Sequence, residues 1–190
     1  MADYKLSISM VPAPLWGRNL RNYLTRGRWN ALRASQFARV PNCECCGSSP
    51  VGAERHAHEE WGYNTETGIA RLVGLRTTCR MCHFAEHPGF INVMVAMGRF
   101  TPAIRNEIER HFCRVNGCKP QDYRRHSKQA QHRYDELMRV AAWTIDFGPY
   151  ADLVSGNTQL PRNARSSRST PVRRRVRTAS GVQLSDGAAT

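Results

Sequence analysis

Leu6, Ile8 and Met10 alternate with polar neighbours, a spacing that predicts a short strand or extended arm, closed by Pro12 and Pro14. Leu15 to Arg21 starts a weakly amphipathic piece carrying Trp16, Leu20, Tyr23 and Leu24. A second helical stretch is expected near residues 29–39, with Trp29, Leu32 and Phe37 as its buried face. After Pro41 the pattern changes period. Residues 53–61 read as a strand, 63–68 as a turn and 69–73 as the return strand. Residues 90–97 are apolar (Ile91, Val93, Met94, Val95) and read as a core helix or buried segment. Thr101-Pro102 caps a helix to about Cys113 that buries Ile104, Ile108 and Phe112. Lys119-Pro120 opens a longer helix near 120–141, whose stripe is Tyr123, Ser127, Ala130, Tyr134, Leu137, Met138 and Ala141. Trp143, Ile145 and Phe147 alternate as a short closing strand. Beyond about Ser155 no period remains, and a tail rich in Ser, Thr, Gly and Arg is expected to be disordered.

These elements give an α+β chain with four parts. An N-terminal arm and helical segment covers 1–40, a central core 41–100, a helical extension 101–155 and an arginine-rich tail 156–190. Charge sharpens the picture. The net charge is +13, and residues 156–190 hold seven arginines against one acid, Asp186. Residues 1–155 therefore keep +7, so the body is basic without its tail. That balance favours a polyanion, most often nucleic acid. No run of 18 apolar residues suggests a membrane span, and the N-terminus has no signal-peptide pattern. The expected location is the cytoplasm, where paired cysteines suit metal better than disulfides.

The cysteines carry the first chemistry. Cys43 and Cys46 form one C-x-x-C pair, Cys79 and Cys82 another, with thirty-two residues between them. Two such pairs supply the four soft ligands of tetrahedral Zn²⁺, and the gap leaves room for a β-hairpin. Cys45 lies beside Cys46 and is a second candidate in the first knuckle, although two intervening residues suit Cys43 better. Histidines gather at the same place. His56 and His58 are two apart and share one face of the expected strand. His83 and His87 stand at i, i+4, the usual spacing for two imidazoles on one ion, with Pro88 placing His87 just past a helix end. His111, His126 and His132 fall on expected helices and read as surface or core histidines.

The order knuckle, histidine strand, return strand and Cys79-Arg-Met-Cys82-His83 resembles the HNH, or His-Me finger, endonucleases over roughly 43–90. Leu15 to Arg21, His58-Glu59-Glu60-Trp61, Arg71 to Leu75 and Arg114 to Gly117 are similar to stretches of bacterial and phage HNH-like proteins, extending the resemblance over most of 12–150. The resemblance implies a small ββα-metal core stapled by a structural zinc and flanked by helices. It also implies a second divalent ion, Mg²⁺, Mn²⁺ or another, that supports phosphodiester hydrolysis in DNA, with RNA open as a second target. On this resemblance His58 is the general base, His56 a metal ligand beside it, His83 the helix ligand and His87 its complement. Where the family carries its middle asparagine, this chain has Gly74. Three functions follow: an HNH-type endonuclease, a catalytically inactive zinc-stapled nucleic-acid-binding module, and a structural or protein-interaction zinc protein. The basic body argues against the last.

Overall fold

The computed structural model describes residues 4–156, so the tail from residue 157 lies outside the described residues. Those residues form a mixed α+β structure around a three-stranded sheet of order β1-β2-β3. Strands β1 (Arg55–Asn64) and β2 (Ile69–Cys79) make an antiparallel hairpin. Strand β3 (Thr144–Asp146) adds to β2 in parallel, at Ile69 to Arg71. The return strand runs past Val73 to Cys79 because Gly74 stays paired with Glu60 in the ladder. A bulge next to that pair leaves Val73 without a partner on β1 and 61% exposed. Helix α2 (Arg80–Glu86) follows β2 directly, with Cys79 as its N-cap. A hairpin is thus followed immediately by a helix.

The N-terminal arm is extended and is not a strand. Its backbone is held by side chains and one helix end instead of a ladder. Leu6 N–H donates to Asn116 Oδ1 (3.1 Å), Ile8 N–H to His126 Nε2 (3.0 Å) and Ser9 N–H to the Glu86 carbonyl (2.9 Å). Leu6 itself is fully buried with Ile91, Ile108, Phe112 and Cys82. Each such apolar side chain stabilises by about 1.5–3 kcal/mol relative to exposure. The largest core cluster therefore draws on the first, second and third of the four sequence-defined parts.

Several elements depart from the pattern. The piece from Leu15 to Arg21 breaks into two 3-10 turns, Ala13–Leu15 and Leu20–Asn22, because Gly17 takes φ +74° between them. Helix α1 (Arg26–Arg39) buries Gln36 most deeply, not its aromatics, since the Gln36 amide reaches Glu44 and Thr77 at 3.4 Å each. Helix α3 (Pro88–Ala96) is the clearest correction. Only Ile91 is fully buried, while Phe90 and Val93 are 49% and 45% exposed. Helix α4 (Ile104–Asn116) starts after Thr101-Pro102 and ends at left-handed Gly117. Helix α5 (Pro120–Met138) stops before Ala141 and buries Ala130 and Leu137 from its stripe. A short helix α6 (Ala151–Ser155) closes the described chain. Among the described residues no helix is long and apolar enough to cross a membrane.

Candidate metal centres

The sulfurs of Cys43, Cys46, Cys79 and Cys82 lie within 4.8 Å of one another, a cluster compatible with a structural metal such as zinc. The first knuckle is a tight turn. Gly47 N–H donates to the Cys43 carbonyl and Cys43 N–H to the Ser48 carbonyl, both at 2.8 Å, with Gly47 at φ +74°. Glu44 then ties this turn to β2. Its N–H donates to the Thr77 carbonyl (2.9 Å), and its carboxylate accepts from Thr77 N–H (2.6 Å). The second knuckle is the β2–α2 junction. The Cys46 and Cys79 sulfurs are 3.7 Å apart, and a tetrahedral site with Zn–S near 2.3 Å has an S···S edge of about 3.8 Å. Without a cation the thiols cannot all ionise. Sulfur contacts with Cys45, Cys79 and Cys82 pull Cys43 far down, while contact with Cys43 pushes Cys79 and Cys82 up. A divalent ion is what lets four thiolates share one place. Cys45 is outside this set. It is buried with its sulfur 3.6 Å from Arg76 Nη1 and 3.8 Å from Glu86 Oε1.

His111 does not stand apart from this chemistry, as its helix position suggested. Its Nε2 is 3.1 Å from Cys82 Sγ, and Arg114 Nη2 is 3.3 Å from its Nδ1. A guanidinium only donates, so Nδ1 is the acceptor and Nε2 carries the proton toward the sulfur. No local spacing announces this pair, because His111 and Cys82 come from separate helices, α4 and α2.

The second cluster is made of imidazoles. His58, on β1, His83, on α2, and His87, the residue capping α2, offer donor atoms within 4.8 Å of one another. Strand alternation aims His56 and His58 at the face that α2 covers. His58 Nδ1 is 3.4 Å from His83 Nδ1, the N···N edge of about 3.4 Å that a tetrahedral ion with bonds of 2.0–2.1 Å would span. His87 Nδ1 is 3.2 Å from the Ser9 carbonyl, so Nδ1 carries the proton and Nε2 is left as the donor atom to an ion. His56 is outside the three-donor group expected to include it. It stacks on His83 with ring centroids 4.7 Å apart, and its Nε2 is buried without a hydrogen-bond partner. Burial, then the neighbouring His87 and His83, lowers His58 to about 2, and burial lowers His83 to about 3. Both rings are neutral at pH 7, the form that ligates metal.

One guanidinium organises the wall behind them. Arg76 lies directly across the hairpin from His58. Its Nε is 2.8 Å from Glu60 Oε1 and its Nη2 2.5 Å from Glu86 Oε1. The other oxygen of Glu86 is buried, lacks a hydrogen bond and sits 3.2 Å from His58 Nδ1. Burial raises Glu86 to about 7 against the pull of Arg76. Gly74, in the same row, faces Glu60, whose Oε2 would lie 3.6 Å from an added Cβ. Glu59 points the other way and caps the turn at Leu20, accepting from its N–H at 2.9 Å and from Trp61 Nε1 at 3.1 Å.

All four histidines line a cavity of about 860 Å³, and no cysteine does. Arg18, Arg21, Arg33 and Arg55 line it too, and none of them makes an ion pair among the described residues. No family model, curated protein or solved structure matches this chain.

Proposed function

We propose that the protein is a metal-dependent endonuclease of HNH type acting on DNA. The observation that carries this reading is three neutral imidazole donors converging in a cavity that is also lined by four arginines outside any ion pair among the described residues. The β1–β2–α2 order supports a ββα-metal core, with the cysteine cluster as its zinc staple. His58, His83 and His87 would hold the divalent ion. When bound, that ion supplies Lewis-acid charge for a phosphoryl oxygen. His58 was the expected base, but its Nδ1 faces both His83 and Glu86, which favours a ligand role. The proton-accepting role then passes to His56, which lines the same cavity and stacks on His83. Arg76 would take over the register-keeping of the missing asparagine, since it binds β1 through Glu60 and α2 through Glu86. The arginines around the cavity would hold the flanking phosphates.

Plasmid nicking with added Mn²⁺ or Mg²⁺ tests this. His58→Ala and His83→Ala are expected to lose the second ion in calorimetry and to cut at least ~100-fold more slowly. His56→Ala is expected to keep the ion and lose about 10²–10⁴ in rate. All three should keep their zinc. Equal cutting by wild type and His83→Ala would sink the reading. A second reading, a catalytically silent zinc-stapled DNA-binding module, rests on Gly74. It prevails if the zinc-loaded wild type binds DNA and never cuts.

A further inference from the structure

Part of the cavity lining is apolar and exposed. Trp16 is 61% exposed, yet its ring is fixed in place by an Nε1–H bond to the Val11 carbonyl at 2.8 Å. Phe90 and Val93 stand at i, i+3 on α3 and line the same cavity as Trp16 and the histidines. Apolar surface of this kind on a monomer marks a contact site, and its neighbours decide for what. Four arginines at the same cavity, none of them in an ion pair among the described residues, suit a phosphate backbone, Arg33 and Arg55 being steadied over Phe37. An immobilised aromatic face beside a cationic groove is the arrangement that binds unpaired nucleotides, because every unstacked base offers a π-face. In a duplex those faces are covered by neighbouring base pairs, and only sugars and phosphates would meet Trp16. The cavity, about 860 Å³, is on the scale of a cleft for a few rings.

We infer that the site takes single-stranded DNA, or the frayed end of a duplex, with Trp16 and Phe90 as the stacking platform beside the histidine cluster. This rests on the nuclease reading for the identity of the nucleic acid, but its test needs no cutting. Full-length, zinc-loaded protein with no added divalent ion is titrated with a fluorescent 12-nucleotide strand, with the same strand as a duplex, and with the RNA of that sequence. The single strand is expected to bind about 10-fold more tightly than the duplex at equal salt. Trp16→Ala should lose about 10-fold for the single strand and leave the duplex unchanged, whereas Trp16→Phe should keep most of the difference. Zinc content and near-ultraviolet dichroism establish that each variant is folded.

Equal or tighter binding of the duplex overturns the inference, as does a Trp16→Ala variant that weakens both forms alike. Tighter binding of RNA overturns the choice of DNA. If Trp16→Ala changes only sedimentation, the apolar wall is a face between two copies of this chain and the inference falls. A strand preference in a protein that never cuts would leave the inference standing while the nuclease reading fails. Ion-dependent cutting of duplex without a strand preference would do the reverse.

Discussion

The cysteine cluster and the histidine cluster share the same hairpin and helix, yet they are built for opposite ends. The four cysteines come from two knuckles, close on one another, and contribute nothing to the cavity wall. Every ligand position of a tetrahedral ion is filled by protein, the hallmark of a structural site. The three histidines offer only three donors, so an ion held there would keep a position free, and they line an 860 Å³ cavity together with arginines outside any ion pair among the described residues. An open position is where a substrate oxygen or water enters. The comparison teaches that ligand count and exposure distinguish the two clusters although both draw on one helix.

The largest break between the two should come from Cys82→Ser. Cys82 is fully buried, and its loss would remove one of the four clustered sulfurs that suit a structural metal such as zinc. The expected cost is several kcal/mol, much of the ~5–15 kcal/mol that holds a domain of this kind. A thermal melt with zinc quantitation would read it, and the histidine cluster should be lost together with the fold. His111→Ala sharpens the contrast at smaller scale. Removing the donor to Cys82 should weaken zinc retention about 10-fold in a chelator competition, leaving the second ion's affinity unchanged. An unchanged zinc affinity would mean that the 3.1 Å contact is packing alone.

The smallest effect concerns acid. His126 accepts the Ile8 N–H, and burial lowers its pKa below the usual 6.5. The unfolded chain therefore takes up a proton that the folded chain refuses. The stabilisation is present above about pH 6.5 and fades as pH falls through the lower folded value. His126→Gln, which keeps an acceptor, should lose roughly 1–2 °C less in melting temperature than wild type between pH 7.5 and 5.5. Because the same arm presents Ser9 to His87, loosening it should touch the histidine site before the cysteine site.

Much of this was legible in local spacing. Two C-x-x-C pairs announced the sulfur cluster, and the i, i+2 and i, i+4 histidines announced their shared faces, because a turn or a strand fixes those geometries over a few residues. The hairpin was visible as well, though its bulge at Val73 and its length were not. What spacing does not encode is which distant element supplies a partner. His111 beside Cys82, Arg76 between Glu60 and Glu86, and Ser9 beside His87 depend on how α4, the hairpin and the arm pack. The apolar run of α3 misled for a related reason. Its composition looks like core, but the described residues leave Phe90 and Val93 exposed. The parallel pairing of β3 with β2 was equally hidden, since nothing near Thr144 names Ile69.

Cys82 and His83 are neighbours on α2, a helix of only seven residues. Isolated helices that short do not persist in water, so α2 draws its shape from its surroundings, the gathered sulfurs at its start and the core around Phe84 and Ala85. The consequence is an order of maturation. A metal that gathers those sulfurs would also set where the imidazole of His83, the next residue on the helix, can stand, so the cysteine cluster would be filled first. Whatever binds at the imidazoles would then depend on an ion that never touches it.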